Sequence, residues 1–394
     1  MRWSATAGCA ALALIASASV DPARAADPYE IHVVLPMTGG GSFVGKGQQD
    51  SLQALEASVN KAGGIQGRPL HLVFHDDQTS PQVAVQLATS LVAQHPAVIL
   101  GSSLVAMCNA MAPLMKNGPV MYCLSPGFHP AAGSYAFSAS SSSYDQIAAL
   151  IRYYRLKGWT EIAALSGTDA TGQDADRAID QILAQPENRG VKLVEHQHFN
   201  PTDVSVAAQM ERIKASGAKA VIAWSTGAPV ATVFKAAIQA ALDLPIAPSS
   251  GNQTFAQMAQ YVDFLPKQFM VPSALFPEHE GVLQLDPRVE TVQHEMYAIL
   301  AERGLKADNM VATSWDAGLI VVEALRKLGP EATADQLRQY IAGLSDFAGV
   351  DGLYDFKAYP ERGLGPDSSA IVRYDAEGKR WVWLSKPGGE PLPP

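Results

Sequence analysis

The stretch "IHVVLPMTGGGSFVGKG", residues 31 to 47, decides how the rest of the chain is read. Its apolar run carries the β-branched pair Val33-Val34, the mark of a buried strand. A glycine-rich turn follows and closes with Gly45-Lys46 before a helical pattern begins. Strand, glycine loop and helix in that order is how a phosphate-binding loop is built. The nucleotide version needs Ser or Thr directly after the lysine, because that hydroxyl ligates magnesium, and here the position holds Gly47. The dinucleotide version fails too. After Gly39 and Gly41 the third glycine position holds Val44, and Asp76-Asp77 lies well past the roughly twenty-residue offset of a ribose-binding acid. What remains is the physics of the loop: N–H groups at a helix start favour any anion, a carboxylate included, and glycines let the backbone approach closely.

Upstream of this stretch, Arg2, the apolar "GCAALALIASASV" and the small-x-small triplet Ala23-Arg24-Ala25 read as a secretory signal peptide cut after Ala25, which directs the chain out of the cytoplasm. A retained anchor is the alternative, but Asp21, Pro22 and Arg24 interrupt the apolar run, and too little apolar segment precedes Cys9 for a lipoprotein leader. Loss of residues 1–25 removes Arg2, Arg24 and Asp21, so the formal charge of -9 becomes -10. An acidic surface argues against nucleic acid, whose binding uses clustered Lys and Arg. An apolar fraction of 47% excludes disorder, and the length implies two domains. Cys108 and Cys123 then remain. In an oxidising compartment they read either as a bridge between a helix and the strand that follows it, or as two small buried apolar residues.

Downstream, strands and helices alternate. After "IHVVLP" come a helix near 48–61 stopped by Gly63-Gly64, "LHLVFHD", a helix near 81–93, "AVILG", a helix near 105–115 and "PVMYCLS". This is a parallel sheet covered on both faces. The Ser-rich "SASSSSYD" at 138–145 interrupts the rhythm, which then resumes with a helix to about residue 156, with "EIAALSG", "VKLVEHQHF" and "AVIAWS", each followed by a helical stretch, and with a short strand near 245–248. The fold class is therefore α/β, with two similar doubly wound lobes. Beyond 275 the pattern is mainly helical until "GLYDF" and a hairpin of "SAIVRYD" and "RWVWLS" turning at "AEGK". The tail "KPGGEPLPP", 386–394, is expected to be loose. In open α/β sheets ligands sit beyond the carboxyl ends of the strands, which singles out the loops "MTGGGSFVG", "GSSLVA", "SPGFHP", "SGTDATGQD", "WSTGAP" and "PSSGNQ".

Pro36-Met37-Thr38-Gly39, the block Asn60-Lys61-Ala62-Gly63-Gly64-Ile65-Gln66-Gly67 and Asp76-Asp77 together resemble the opening of the leucine/isoleucine/valine-binding family of periplasmic receptors. "GPVMYCLSPG", "YRLKGWTEIAALSG" and "SWDAGLIVVEALRK" are similar to family segments as well, so the likeness runs from about residue 29 to the early 380s. The resemblance implies a type I binding-protein fold: lobe one from 26–140 plus 276–350, lobe two from 141–275 plus 351–385, and a three-strand hinge between them. It implies a small-molecule ligand trapped by hinge closure, an ABC permease and ATPase as partners, a monomer, and no cofactor.

Amino-acid-binding relatives hold the α-carboxylate with a serine after the third strand and with groups after the fourth, and the ammonium with an acid from lobe two. Val105 stands where that serine is usual, with Ser102 and Ser103 close by. Ser125-Pro126-Gly127 matches the family, but Phe128 and His129 replace the common Ala and Thr, and Ser250 replaces the acid. A buried ammonium without a counter-charge costs several kcal/mol, so such a cleft should reject α-amino acids unless Asp169 substitutes. Val44 and Thr171 occupy the places of stacking tyrosines, while Phe43, Phe128, Trp224 and Trp315 offer aromatic surface, and Ser225 and Thr226 lie in the "WSTGAP" loop. The expectation is a small organic acid with an apolar or aromatic body, its carboxylate on backbone amides, Ser102 or Ser103, and His129. A branched-chain amino acid, or a sensing module that signals without transport, is the alternative.

The duller readings are core packing for Phe128, Trp224 and Trp315, a solvent-facing His129, and a strand-end cap for Asp76-Asp77. His196 and His198 alternate on one strand face as a metal pair would, but no third ligand is apparent in sequence, and they read as an exposed face without metal. An enzyme is not indicated. No G-x-S-x-G elbow occurs, and His279-Glu280 is followed by Gly281, Val282 and Leu283 rather than a zinc motif.

Overall fold

The computed structural model describes residue 3 and residues 27–279 and 281–393. The expected leader with its cleavage point at Ala25, Trp3 apart, lies outside the described residues. So do Cys9, Glu280 and Pro394. Among the described residues no helix is long and apolar enough to cross a membrane.

The first half builds β1 (Tyr29–Leu35), α1 (Ser42–Lys61), β2 (Leu70–Asp76), α2 (Pro81–Val92), β3 (Val98–Gly101), α3 (Val105–Met111), β4 (Val120–Cys123) and β5 (Ala136–Ser138). Its strands form one parallel sheet in the order β2-β1-β3-β4-β5. The second half builds α4 (Ser143–Leu156), β6 (Glu161–Gly167), α5 (Ala170–Leu183), β7 (Lys192–Phe199), α6 (Ala207–Ala215), β8 (Ala220–Ile222), α7 (Pro229–Gln239) and β9 (Ile246–Ala247), a parallel sheet in the order β7-β6-β8-β9. There follow α8 (Phe255–Tyr261), β10 (Val271–Ser273), α9 (Pro287–Ala301), α10 (Asn309–Leu328), α11 (Ala334–Gly343), β11 (Phe347–Ala348), β12 (Leu353–Tyr354), β13 (Ala370–Asp375) and β14 (Arg380–Trp383). Each large sheet carries an apolar core on both faces, as a doubly wound sheet requires.

The glycine stretch is more helical than its composition implies. α1 starts at Ser42, so Gly45, Lys46 and Gly47 are helical, and Lys46 is exposed. Gly45 is required because the helix start lies against β1's exit: a Cβ there would sit 2.3 Å from the Pro36 carbonyl oxygen. Farther along, Leu52 and Leu55 of α1 press onto Gly318 of α10, where a Cβ would meet Leu55 at 2.5 Å. Burying each of these leucines contributes about 1.5–3 kcal/mol. Side-chain caps start the helices that reach the cleft. Ser142 caps α4, Asp169 caps α5, and Asp308 accepts from the Met310 and Val311 N–H groups of α10.

The chain passes between the two halves more than once. Ala139 and Phe276 pack in the first core, and Leu275 in the second. The last crossing departs from the expected position near 350. Tyr354, Phe356 and Leu364 pack in the first core, and only from Ala370 does the chain join the second. The reason is a small hairpin, β11 with β12, that folds back over α10 and lets the Tyr354 hydroxyl donate to Asp316 at 2.9 Å. β13 and β14 form the expected antiparallel hairpin, with β10 alongside. The tail is not loose through 393. The Gly388 N–H donates to the Ser369 carbonyl at 2.7 Å, the Leu392 N–H to that of Leu384 at 3.0 Å, and the Leu392 side chain covers the second core.

Candidate ligand site

The carboxyl ends of both parallel sheets face one another across a pocket. From the first half come Val44 on α1, Ser103 to Val105 after β3, and Leu124 to Gly127 after β4. From the second come Ser143 and Gln146 on α4, Thr171 and Asp174 on α5, Trp224 and Thr226 after β8, and Ser249 to Gly251 after β9. Asn309 and Met310, at the start of α10, complete the wall. The enclosed space is about 40 Å³, far below the roughly 300–1,000 Å³ of typical small-molecule pockets. The halves are closed upon each other.

The closing contacts are specific. The Ala228 N–H donates to the Gly40 carbonyl at 3.2 Å, and a Cβ at Gly227 would lie 2.6 Å from that same oxygen. His129 Nε2 meets Asp174 Oδ1 at 2.9 Å across the rim. Phe43 packs edge-on against Tyr261, ring centroids 6.3 Å apart. Gly127 allows the approach, because a Cβ there would meet Asp174 Oδ2 at 2.9 Å.

Of the residues singled out from sequence, the structure brings Val44, Ser103, Val105, Gly127, Thr171, Trp224, Thr226 and Ser250 to the pocket. The others are placed elsewhere. Ser102 is buried beneath it, its hydroxyl donating to Asp77. Ser225 is buried and offers its carbonyl to Ser249 and Asn252. Phe128 packs in the core on the outer face of the first sheet, and Trp315 inside α10 in the main core of the first half, as the duller readings had it. Phe43 and His129 serve the contact between halves rather than the wall. Asp169 is spent on capping α5. Asp76 accepts from Met37 N–H, Thr38 N–H and Thr38 Oγ1, and so fixes the turn after β1.

Three polar groups of the site were not anticipated. Asn309 is 1% exposed and neither its Nδ2 nor its Oδ1 has a partner. Gln146 Oε1 is equally unpaired. Asp174 is the carboxylate on the wall, but it is already engaged by His129, by Arg177 at 3.4 Å and by the Ser143 hydroxyl. Buried amides without partners are costly, so they mark where a polar solute would be received. Next to Asn309, burial pushes Asp308 up to about 6 against the opposing pull of the Val311, Phe255 and Met310 N–H groups.

Two further sequence readings are resolved. Cys108 and Cys123 form a disulfide, tying α3 to the end of β4 directly beneath the pocket loops. His196 and His198 are not a bare exposed face. Asp176 on α5, invisible to a search along β7, accepts from both.

A sequence model of the periplasmic binding protein family matches residues 28–379. The curated Leu/Ile/Val-binding protein homolog 3 of Brucella melitensis biotype 1 is 23% identical over 196 residues, a match spanning 48% of this chain and about half, 52%, of the relative. An extracellular ligand-binding receptor of Rhodopseudomonas palustris HaA2 superposes with a TM-score of 0.79 at 16% identity, covering 91% of this chain and 100% of that one. A fatty acid ABC transporter substrate-binding protein of Thermomonospora curvata gives 0.74 at 17%, covering 93% and 95%. At such identities the structural likenesses speak for the fold.

Proposed function

Because this chain belongs to the periplasmic binding protein family, we propose that it is an exported receptor that closes on a small organic acid and offers the closed form to an ABC permease and its ATPase. Binding favours closure by as much as the solute prefers the closed state to the open one, and that difference is what a membrane partner can read. The observation that carries the choice of solute is the polar lining. Asn309 Nδ2 is a buried donor without a partner, while the carboxylate on the wall, Asp174, is already engaged by His129, Arg177 and the Ser143 hydroxyl. A carboxylate finds an uncommitted donor in Asn309, whereas an ammonium finds no uncommitted acid. Of the aromatic candidates only Trp224 reaches the wall, so a compact apolar body against Val44, Val105 and Met310 fits better than a large ring.

A second reading, an α-amino acid with its ammonium on Asp174, is favoured by the position of that acid and by the name of the Brucella relative. Isothermal titration with short aliphatic carboxylates, an aromatic carboxylate, leucine, isoleucine and valine separates the two. The acids are expected to bind at about micromolar strength. Asn309→Ala should weaken them about tenfold, the loss of one charge-assisted hydrogen bond. Binding of leucine or valine with none of the acids, abolished by Asp174→Asn, would establish the second reading instead.

A further inference from the structure

At the free edge of the second half's sheet, outside the pocket lining, lies another cluster. His196 and His198 stand two residues apart on β7 and share one face, with ring centroids 4.5 Å apart. Asp176, on α5, reaches both: Oδ1 lies 2.9 Å from His196 Nε2 and Oδ2 lies 2.9 Å from His198 Nε2. The three potential donor atoms fall within 4.8 Å of one another, and among the described residues no other group of His, Cys, Asp and Glu does so. The side chains are 27%, 45% and 22% exposed, fixed at their bases yet open to solvent. β7 is the edge strand of its sheet, so nothing in that sheet covers its free side. Asp180 and Glu195 add negative potential at His196.

From this geometry we infer that Asp176, His196 and His198 form a binding site for a divalent transition-metal cation, for which Zn²⁺ is the natural probe. Two imidazoles and one carboxylate suit zinc, copper and nickel better than magnesium or calcium, which take oxygen ligands. Donors at about 2.0–2.1 Å from a tetrahedral zinc lie about 3.3 Å apart. The present N···O separations of 2.9 Å fall a few tenths of an ångström short of that value, and all three donor atoms lie within 4.8 Å of one another. Each Nε2 now faces the carboxylate and would turn its lone pair to the metal, leaving Nδ1 to carry the ring proton. A fourth position stays open to solvent, which a water or a donor from another molecule fills. The metal would tie α5 to the sheet edge, and α5 also carries Thr171 and Asp174 on the pocket wall.

The test is calorimetric titration of Zn²⁺ into tag-free full chain previously stripped with chelator. It is paired with visible absorption after loading Co²⁺, whose bands report coordination number directly. One equivalent should bind, with bands of a four- or five-coordinate site. Loss of an outer-shell partner alone costs 10–100-fold, so His198→Ala and His196→Ala should each weaken binding by at least about 100-fold. Exposed His198 can be replaced without disturbing the core, so that variant, checked for an unchanged circular dichroism spectrum, keeps the test decisive should His196→Ala fold poorly. No stoichiometric binding to the natural chain, or binding that survives His198→Ala at full strength, would show that Asp176 merely joins helix to strand by hydrogen bonds. The titration is independent of the solute in the cleft, so either proposal can fail without the other.

Discussion

Asp308 shows how one side chain can be spent on architecture at a measurable cost. It caps α10, and burial raises it to about 6 from the ordinary 3.8. A carboxyl raised on folding contributes its stability in full below its unfolded pKa and loses it as pH climbs through the folded value. The penalty therefore develops between about pH 4 and 6. Asp308→Asn keeps an acceptor for the Met310 and Val311 N–H groups without the charge. Relative to the natural chain it should gain stability from pH 4 to pH 7, by up to about 3 kcal/mol, measured as the difference between urea unfolding curves. A difference that stays flat with pH would mean the carboxyl ionises freely. The next residue, Asn309, illustrates what sequence left unread. The pair Asp308-Asn309 ahead of an apolar-periodic run is a legible helix start, but which helix ends face the cleft is a property of the fold. Asp174 was hidden similarly. It closes the loop "SGTDATGQD" and shares a helix face with Thr171 at a spacing of three residues, but nothing in the sequence ranks it above Asp169, whose carboxylate turns back to its own helix.

Among elements, the pairing of α3 with β4 is where redox chemistry meets the site. The bridge closes a loop of 15 residues in sequence, for which the chain-entropy model gives about 3 kcal/mol. Replacing Cys108 and Cys123 together by alanine should lower the urea midpoint by an equivalent amount, with a slope that rises as the unfolded chain expands. An unchanged midpoint would mean the unfolded chain is already compact in this region. Strand and helix alternation was readable because buried parallel strands are continuous apolar runs and the helices keep a 3.6-residue period. Where reading went astray, a local signal was overruled by contact. Glycines suggested a loop at residues 42 to 47, yet the helix begins there because only a missing Cβ lets α1 pass the Pro36 carbonyl. β5 has three residues and no pattern of its own, and it exists by pairing with β4. The Pro- and Gly-rich tail looked free, but its N–H groups are claimed by Ser369 and Leu384.

For the molecule as a whole, the decisive property is the relation of the two halves. Gly227, at φ +84°, lies so near Gly40 that an added methyl would collide only in the closed form. The left-handed backbone would cost Gly227→Ala about 1 kcal/mol in either form, but the clash acts on closure alone. Small-angle scattering should show the natural chain contracting on saturation with the acid that calorimetry identifies. The variant should contract less and bind at least about tenfold more weakly, as expected when about 1.4 kcal/mol is taken from the closed state. Equal contraction would place the closing force elsewhere. The His129 to Asp174 contact adds a consequence of its own. One carboxylate both fastens the jaws and stands where a cationic solute would seek its counter-ion, so such a guest must undo the clasp in order to be held by it. Under the proposed function, discrimination against amines would need no bulky gatekeeper: it would arise from rivalry for a single acid, and it would relax wherever evolution supplied a second.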